Sequence, residues 1–95
     1  MSRTPQAAAF AIRGPIARSD LPGLCERVSA LLEVCPTRLV DCDVAGVAVD
    51  AVTVDALARL QLAAQRRERQ VRLRNSSSEL GELVAFMGLS DVLPG

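Results

Sequence analysis

The chain has 95 residues, 49% of them hydrophobic, with 11 basic against 11 acidic side chains, and it contains two Phe but no Trp, Tyr or His. That length holds one small domain with one core and leaves no room for a substrate domain beside a cofactor domain. Balanced charge gives the molecule as a whole no electrostatic reason to seek nucleic acid or an anionic membrane, and without His the commonest partner of a metal ion or a thiolate is missing.

The first element expected in chain order is a short strand in AAFAIRGPI, where Ala9, Phe10, Ile12 and Ile16 surround the Gly14-Pro15 turn. Residues 1–7 before it are expected to be flexible, and the whole of 1–95 reads as a single domain. Ser19 or Asp20 can cap the helix that follows, with Pro22 tolerated in its first turn. Leu21, Leu24, Cys25, Val28, Leu31, Leu32 and Cys35 recur at the spacing of one helical face, and Pro36 stops the run. TRLVDCDVAGV then supplies Leu39, Val40, Cys42 and Val44 for a mostly buried strand ending near Gly46.

Leu57, Leu60 and Ala64 mark a second amphipathic helix from about Thr53 to Glu68, with Arg59, Arg66 and Arg67 off its apolar side. QVRLRN is a short strand with Val71 and Leu73 on one face and Arg72 and Arg74 on the other. In SSSELGELVAFMGLSDVL, Ser76 with Glu79 forms a capping box, Leu80, Leu83, Val84 and Met87 form the apolar face of a third helix, and Gly88 can end it. Alternation of strands and helices argues for an α/β layer in which helices cover a small sheet. No stretch is long and apolar enough for a membrane span, and MSRTPQAAAF lacks the apolar run of a signal peptide, so a cytoplasmic location is expected.

Several residues invite chemistry and have plainer explanations. Cys25, Cys35 and Cys42 lack CxxC spacing and read as buried free thiols. The Arg66, Arg67, Arg69, Arg72 and Arg74 run has no stacking aromatic and is interrupted by Glu68, so it reads as a solvated helix end and strand face rather than a nucleic-acid site. Asp55, near a helix start, meets unpaired N–H groups and the positive end of the helix dipole; Thr53 is a suitable N-cap, and Asp50 can satisfy its own loop. No metal or cofactor is expected.

Taken together, the strand closing on Gly14-Pro15, the Leu-rich first helix, LVDCDVAGV, the loop into VDALARLQLAAQRRE, the VRLRN strand and the terminal SSELGELVAFMGLSDVL resemble the STAS domain family, the fold of anti-sigma factor antagonists. The tail ELVAFMGLSDVL, with its Leu-rich face, Gly-Leu and short apolar end, is the most specific part. The expected fold is therefore STAS-like: a four- or five-stranded mixed sheet with helices packed mainly on one side. In that family an Asp-Ser-Ser-Gly-Leu type motif opens the second helix, and its second Ser accepts phosphate from a partner kinase.

This chain departs from that motif. Aligning the Leu that begins the helix face lays Thr53, Val54, Asp55, Ala56 and Leu57 over it, with Asp55 at the phosphoserine position and a slightly longer loop after Gly46. A second register keeps Asp50 at the family's Asp, leaving Val52 at the second Ser with Thr53 beside it as the alternative phosphoacceptor. The first is preferred because it keeps Leu57 and Leu60 on the helix face. A phosphoserine carries about −1.5 to −2 charges and a carboxylate one, so Asp55 would supply part of a phosphorylated state permanently.

The resemblance implies a protein-interaction module of a partner-switching pathway that regulates a sigma factor. Its implied partner is an anti-sigma factor of the serine-kinase type, bound through Asp50, Thr53, Asp55, Arg59 and Arg66; the oligomeric state stays open. The alternative is an accessory subunit of a lipid-transport ATPase assembly. An enzyme with Cys25, Cys35 or Cys42 as nucleophile and Asp43 or Asp50 in support is disfavoured, since no His is available as base and no Gly-rich phosphate loop is present.

Overall fold

The computed structural model of the protein describes residues 8–34 and 37–93. The expectations placed on residues 1–7, on Cys35 and on Pro36 lie outside the described residues. In chain order the elements are β1 (Ala8–Arg13), a 3-10 turn (Arg18–Asp20), α1 (Leu21–Val34), β2 (Leu39–Gly46), α2 (Ala51–Arg66), β3 (Gln70–Arg74) and α3 (Ser78–Phe86).

The sheet among these residues has three strands in the order β1-β2-β3, and both pairs are parallel. This corrects the expected four- or five-stranded mixed sheet. The reason lies in the connections: parallel neighbours need a long crossover, and each strand here is followed by a helix that carries the chain back to the starting edge. Crossovers of one hand, applied to a sheet that grows in one direction, put α1 and α2 on the same face.

Burial follows that geometry. Ile12 of β1, Val40, Cys42 and Val44 of β2, and Val71 and Leu73 of β3 are buried under the helices together with Val28 and Leu32 of α1, Leu57 and Leu60 of α2, and Leu80 and Val84 of α3. The alternate residues Ala9, Ala11 and Arg13, Asp41 and Asp43, Arg72 and Arg74 form the opposite face, half-buried or exposed. It is held by polar cross-strand contacts, Arg72 Nε to Asp41 at 3.2 Å and Asn75 Nδ2 to Asp43 at 3.3 Å.

Helix limits differ from the sequence expectation in instructive ways. The N-cap of α2 is Asp50, whose carboxylate accepts the Thr53 N–H at 2.8 Å, so the helix opens at Ala51 and Thr53 already lies inside it. It closes at Arg66 rather than near Glu68 because Glu68 adopts the left-handed region at φ 58°. The cap of α3 is Ser77, accepting the Leu80 N–H at 3.0 Å, in place of the expected Ser76–Glu79 box. Gly88, at φ +76°, then turns the chain so that Leu93 returns to the core.

One polar side chain is built into that core. Gln61 of α2 is 1% exposed, and its amide is fully engaged: Oε1 accepts the Val71 N–H at 2.8 Å, while Nε2 donates to Val71 O at 2.9 Å and Val92 O at 3.0 Å. Gln70 N–H donates to Arg38 O on the β2 side, so in a parallel ladder the next residue, Val71, turns both its backbone groups outward. Gln61 thus pairs with β3 as a fourth strand would.

Two outcomes follow from these contacts. Replacing Gln61 by Leu keeps the volume but strands two buried backbone groups at about 1–3 kcal/mol each, so thermal melting by circular dichroism should fall by roughly 10 °C or more. The exposed Gln65→Leu should leave the melting temperature nearly unchanged. At α3, Ser77→Ala should cost about 1 kcal/mol and Ser76→Ala almost nothing, measured by urea unfolding.

Candidate interaction site

Asp50 sits at the turn between β2 and α2 with extended backbone, φ −148° and ψ 170°, which lets its side chain fold back over the helix start. The Thr53 N–H holds its carboxyl below the usual carboxylate range, helped by the nearby Thr53 hydroxyl and the Val52 N–H. That hydroxyl lies close enough to favour the charge but is not aligned as a hydrogen bond, and Thr53 is fully buried. A kinase reaches Thr53 only if the first turn of α2 opens.

Asp55 lies at the fifth helical position, beyond the unpaired N–H groups of the first turn, which are served by Asp50; the first helical bond, Val54 N–H to Asp50 O, already closes before it. Its charge is met by side chains instead. Arg59 Nε, one turn on, reaches Oδ1 at 3.2 Å, and Arg18 Nη1, from the 3-10 turn before α1, reaches Oδ2 at 3.1 Å. The hydrogen bond from Arg59 holds the Asp55 carboxyl below the ordinary range, against the opposing effect of burial and with help from the Arg18 hydrogen bond and both guanidinium charges.

Residues 55, 59, 62 and 66 follow at helical spacing, so Asp55, Arg59, Leu62 and Arg66 line one stripe of α2. Arg59 and Arg66 are exposed, and Leu62 is exposed to 51%. Asp55, Arg59 and Arg66 are therefore brought together on one face. Asp50 stands at the head of the helix, and Thr53 points into the core. Arg18 and Leu62 complete the surface and are not singled out in the sequence: Arg18 is distant in sequence from Asp55, and Leu62 falls outside the Leu57, Leu60 and Ala64 stripe.

The other reactive groups lie apart. Cys42 is buried in the central strand, and its thiol is pushed up to about 12 by burial and then by the neighbouring Asp43 charge. Asp43 accepts the Ala45 N–H at 2.9 Å and the Asn75 amide, which lower its carboxyl. Cys25, on α1, is half-buried and free. Among the described residues no group of three or more His, Cys, Asp or Glu converges as metal ligands, and no helix is long and apolar enough to cross a membrane.

These carboxylates set a pH dependence. A carboxyl lowered in the folded state contributes stability that is present above the unfolded pKa, about 3.9, and is lost as pH falls through the lower folded value. Asp50→Asn keeps a capping acceptor and removes the titration. Its melting temperature should therefore fall less than that of the wild type as the solution is taken from neutral pH to below about pH 4.

No protein-family model matches the chain, and no curated protein matches it.

Proposed function

We propose that this protein is a non-catalytic interaction module that docks on a regulatory partner through the head and exposed stripe of α2, as the resemblance to anti-sigma factor antagonists implies, and that it does so without a phosphorylation switch. The three-stranded parallel sheet removes the expected mixed-sheet part of that resemblance. The reading rests on the chemistry at the start of α2.

The observation that carries it is the lack of an accessible hydroxyl at the switch position in either register. A motif that opens the second helix fits the observed start of α2 when Asp50 takes the family's Asp, and Val52 then stands where the phosphoserine would be. The other register puts Asp55 there, already a carboxylate between two arginines. Thr53, the one hydroxyl in reach of either, is fully buried. Binding is then governed by the amount of partner present and not by phosphate.

The proposed partner is an anti-sigma factor of the serine-kinase type, met in the cytoplasm, and the docking residues are Asp50, Asp55, Arg59 and Arg66 with Arg18 beside them. Cys42 supports a non-catalytic reading, since a thiol pushed up to about 12 supplies almost no thiolate at neutral pH.

Incubation with such a kinase and ATP, followed by phosphate mapping by mass spectrometry and by pull-down, tests the proposal. The wild type should be captured and carry no phosphate. Arg59→Glu should weaken capture several-fold while leaving the melting temperature nearly unchanged, since an exposed ion pair is worth little to stability. Phosphate on Thr53 that disappears in Thr53→Ala overturns the absence of a switch. Failure of the wild type to bind overturns the partner class.

A further inference from the structure

The outward faces of α2 and α3 carry opposite charge. On α2 the stripe of Asp55, Arg59, Leu62 and Arg66, with Arg18 against its side, sets Arg18, Arg59 and Arg66 against one carboxylate, Asp55. On α3, Glu79, Glu82 and Phe86 recur at helical spacing on the side away from the buried Leu80 and Val84, and the helix contains no basic residue. Glu79 also suits the helix start, where a carboxylate meets the positive end of the dipole; Glu82 and Phe86 have no such local use.

Pairing inside the molecule leaves these charges unmatched. Asp55 is taken by Arg18 and Arg59, whereas Arg66, Glu79 and Glu82 have no ion-pair partner among the described residues. Each face also exposes a large apolar side chain beside its charges, Leu62 at 51% and Phe86 at 87%. Leu62 lies one turn before Arg66 and Phe86 one turn after Glu82, so charge and apolar group stand at the same spacing on both helices.

We propose that these two faces take each other in a second copy of this chain: the acidic face of α3 in one protomer lies on the α2 stripe of its partner, and two-fold symmetry makes the same contact again. The helices α2 and α3 pack side by side over one core, so both faces look outward from the same side of the molecule and can be engaged together. The arginines of the stripe meet Glu79 and Glu82, and Leu62 and Phe86 are withdrawn from water. A helix of 9 residues set on one stripe is a small contact, of the class that forms weak and reversible complexes. An anionic membrane surface does not fit the exposed Phe86, because Glu79 and Glu82 stand beside it.

This pairing rests on the α2 stripe being a docking face and gives that face a regulator, since a second copy and the regulatory partner exclude each other there. Sedimentation equilibrium of the full chain alone tests it. The average mass should rise from one chain toward two as concentration increases, and the association should weaken several-fold in about 1 M sodium chloride, where the Debye length is about 3 Å. Arg66→Glu and Glu82→Arg should each weaken it about tenfold by setting like charges together, and the two combined in one chain should restore most of it. Phe86→Ala should weaken it several-fold, and all of these exposed substitutions should leave the melting temperature nearly unchanged. Glu82→Arg lies outside the α2 stripe, so it should lose self-association and still be captured by the regulatory partner; the two readings therefore fail in different measurements. A single-chain mass at every concentration overturns the proposal. So does self-association that survives Glu82→Arg, or a double variant no better than Arg66→Glu alone.

Discussion

The side-chain amide of Gln61 is the interaction on which the outer half of the molecule depends. An edge strand leaves alternate peptide groups facing away from the sheet, and when a helix and a tail close over them those groups lose water without gaining a partner. Gln61 supplies both a donor and an acceptor at the spacing of one peptide unit, and its remaining N–H fixes the carbonyl of Val92. One side chain thereby joins the second helix, the last strand and the C-terminal turn. A buried amide with every hydrogen bond made costs little, whereas one left half-paired costs more than an apolar residue there would.

The surface of α2 works on a different principle. Asp55, Arg59 and Arg18 are exposed enough that their ion pairs add little to folding. What they do is fix geometry: Arg18 ties the turn before α1 to the flank of α2, and Arg59 holds the other carboxylate oxygen, so the charged stripe is presented in one arrangement. Arg66 and the exposed Leu62 continue it along the helix. In the docking proposed above, such a stripe would give the partner orientation and charge, with an apolar contact at its middle.

Much of this was legible in the sequence where periodicity alone decides. The faces of α1 and α2, the buried alternation of β2 and the split of Val71 and Leu73 from Arg72 and Arg74 all follow from spacing. The strand number and direction expected from the family likeness differ from the structure, where each helix returns the chain for a parallel pairing that the strand and helix order alone already allows. Asp50 and Thr53 both suit an N-cap by residue type, and only the backbone angles separate them. Gln61 was invisible, since nothing in LARLQLAAQ distinguishes a buried glutamine from a solvated one. Arg18 was invisible too, because its contact with Asp55 is made only when the turn before α1 comes against α2.

The bond from Gln61 to Val92 also sets an order of events in time. Strands β1, β2 and β3 are neighbours in the order in which they are made, so each new strand can pair with the one before it, across one helical crossover, without waiting for a later segment. The seal on β3 is the exception. Until the chain has been synthesised as far as residue 92 and turned back at Gly88, the Gln61 amide lacks its third partner and the last edge stays open. The sheet of a nascent chain is therefore formed before its β3 edge is closed to other strands, and the arrival of Val92 at Gln61 ends the exposure of that edge to mispairing.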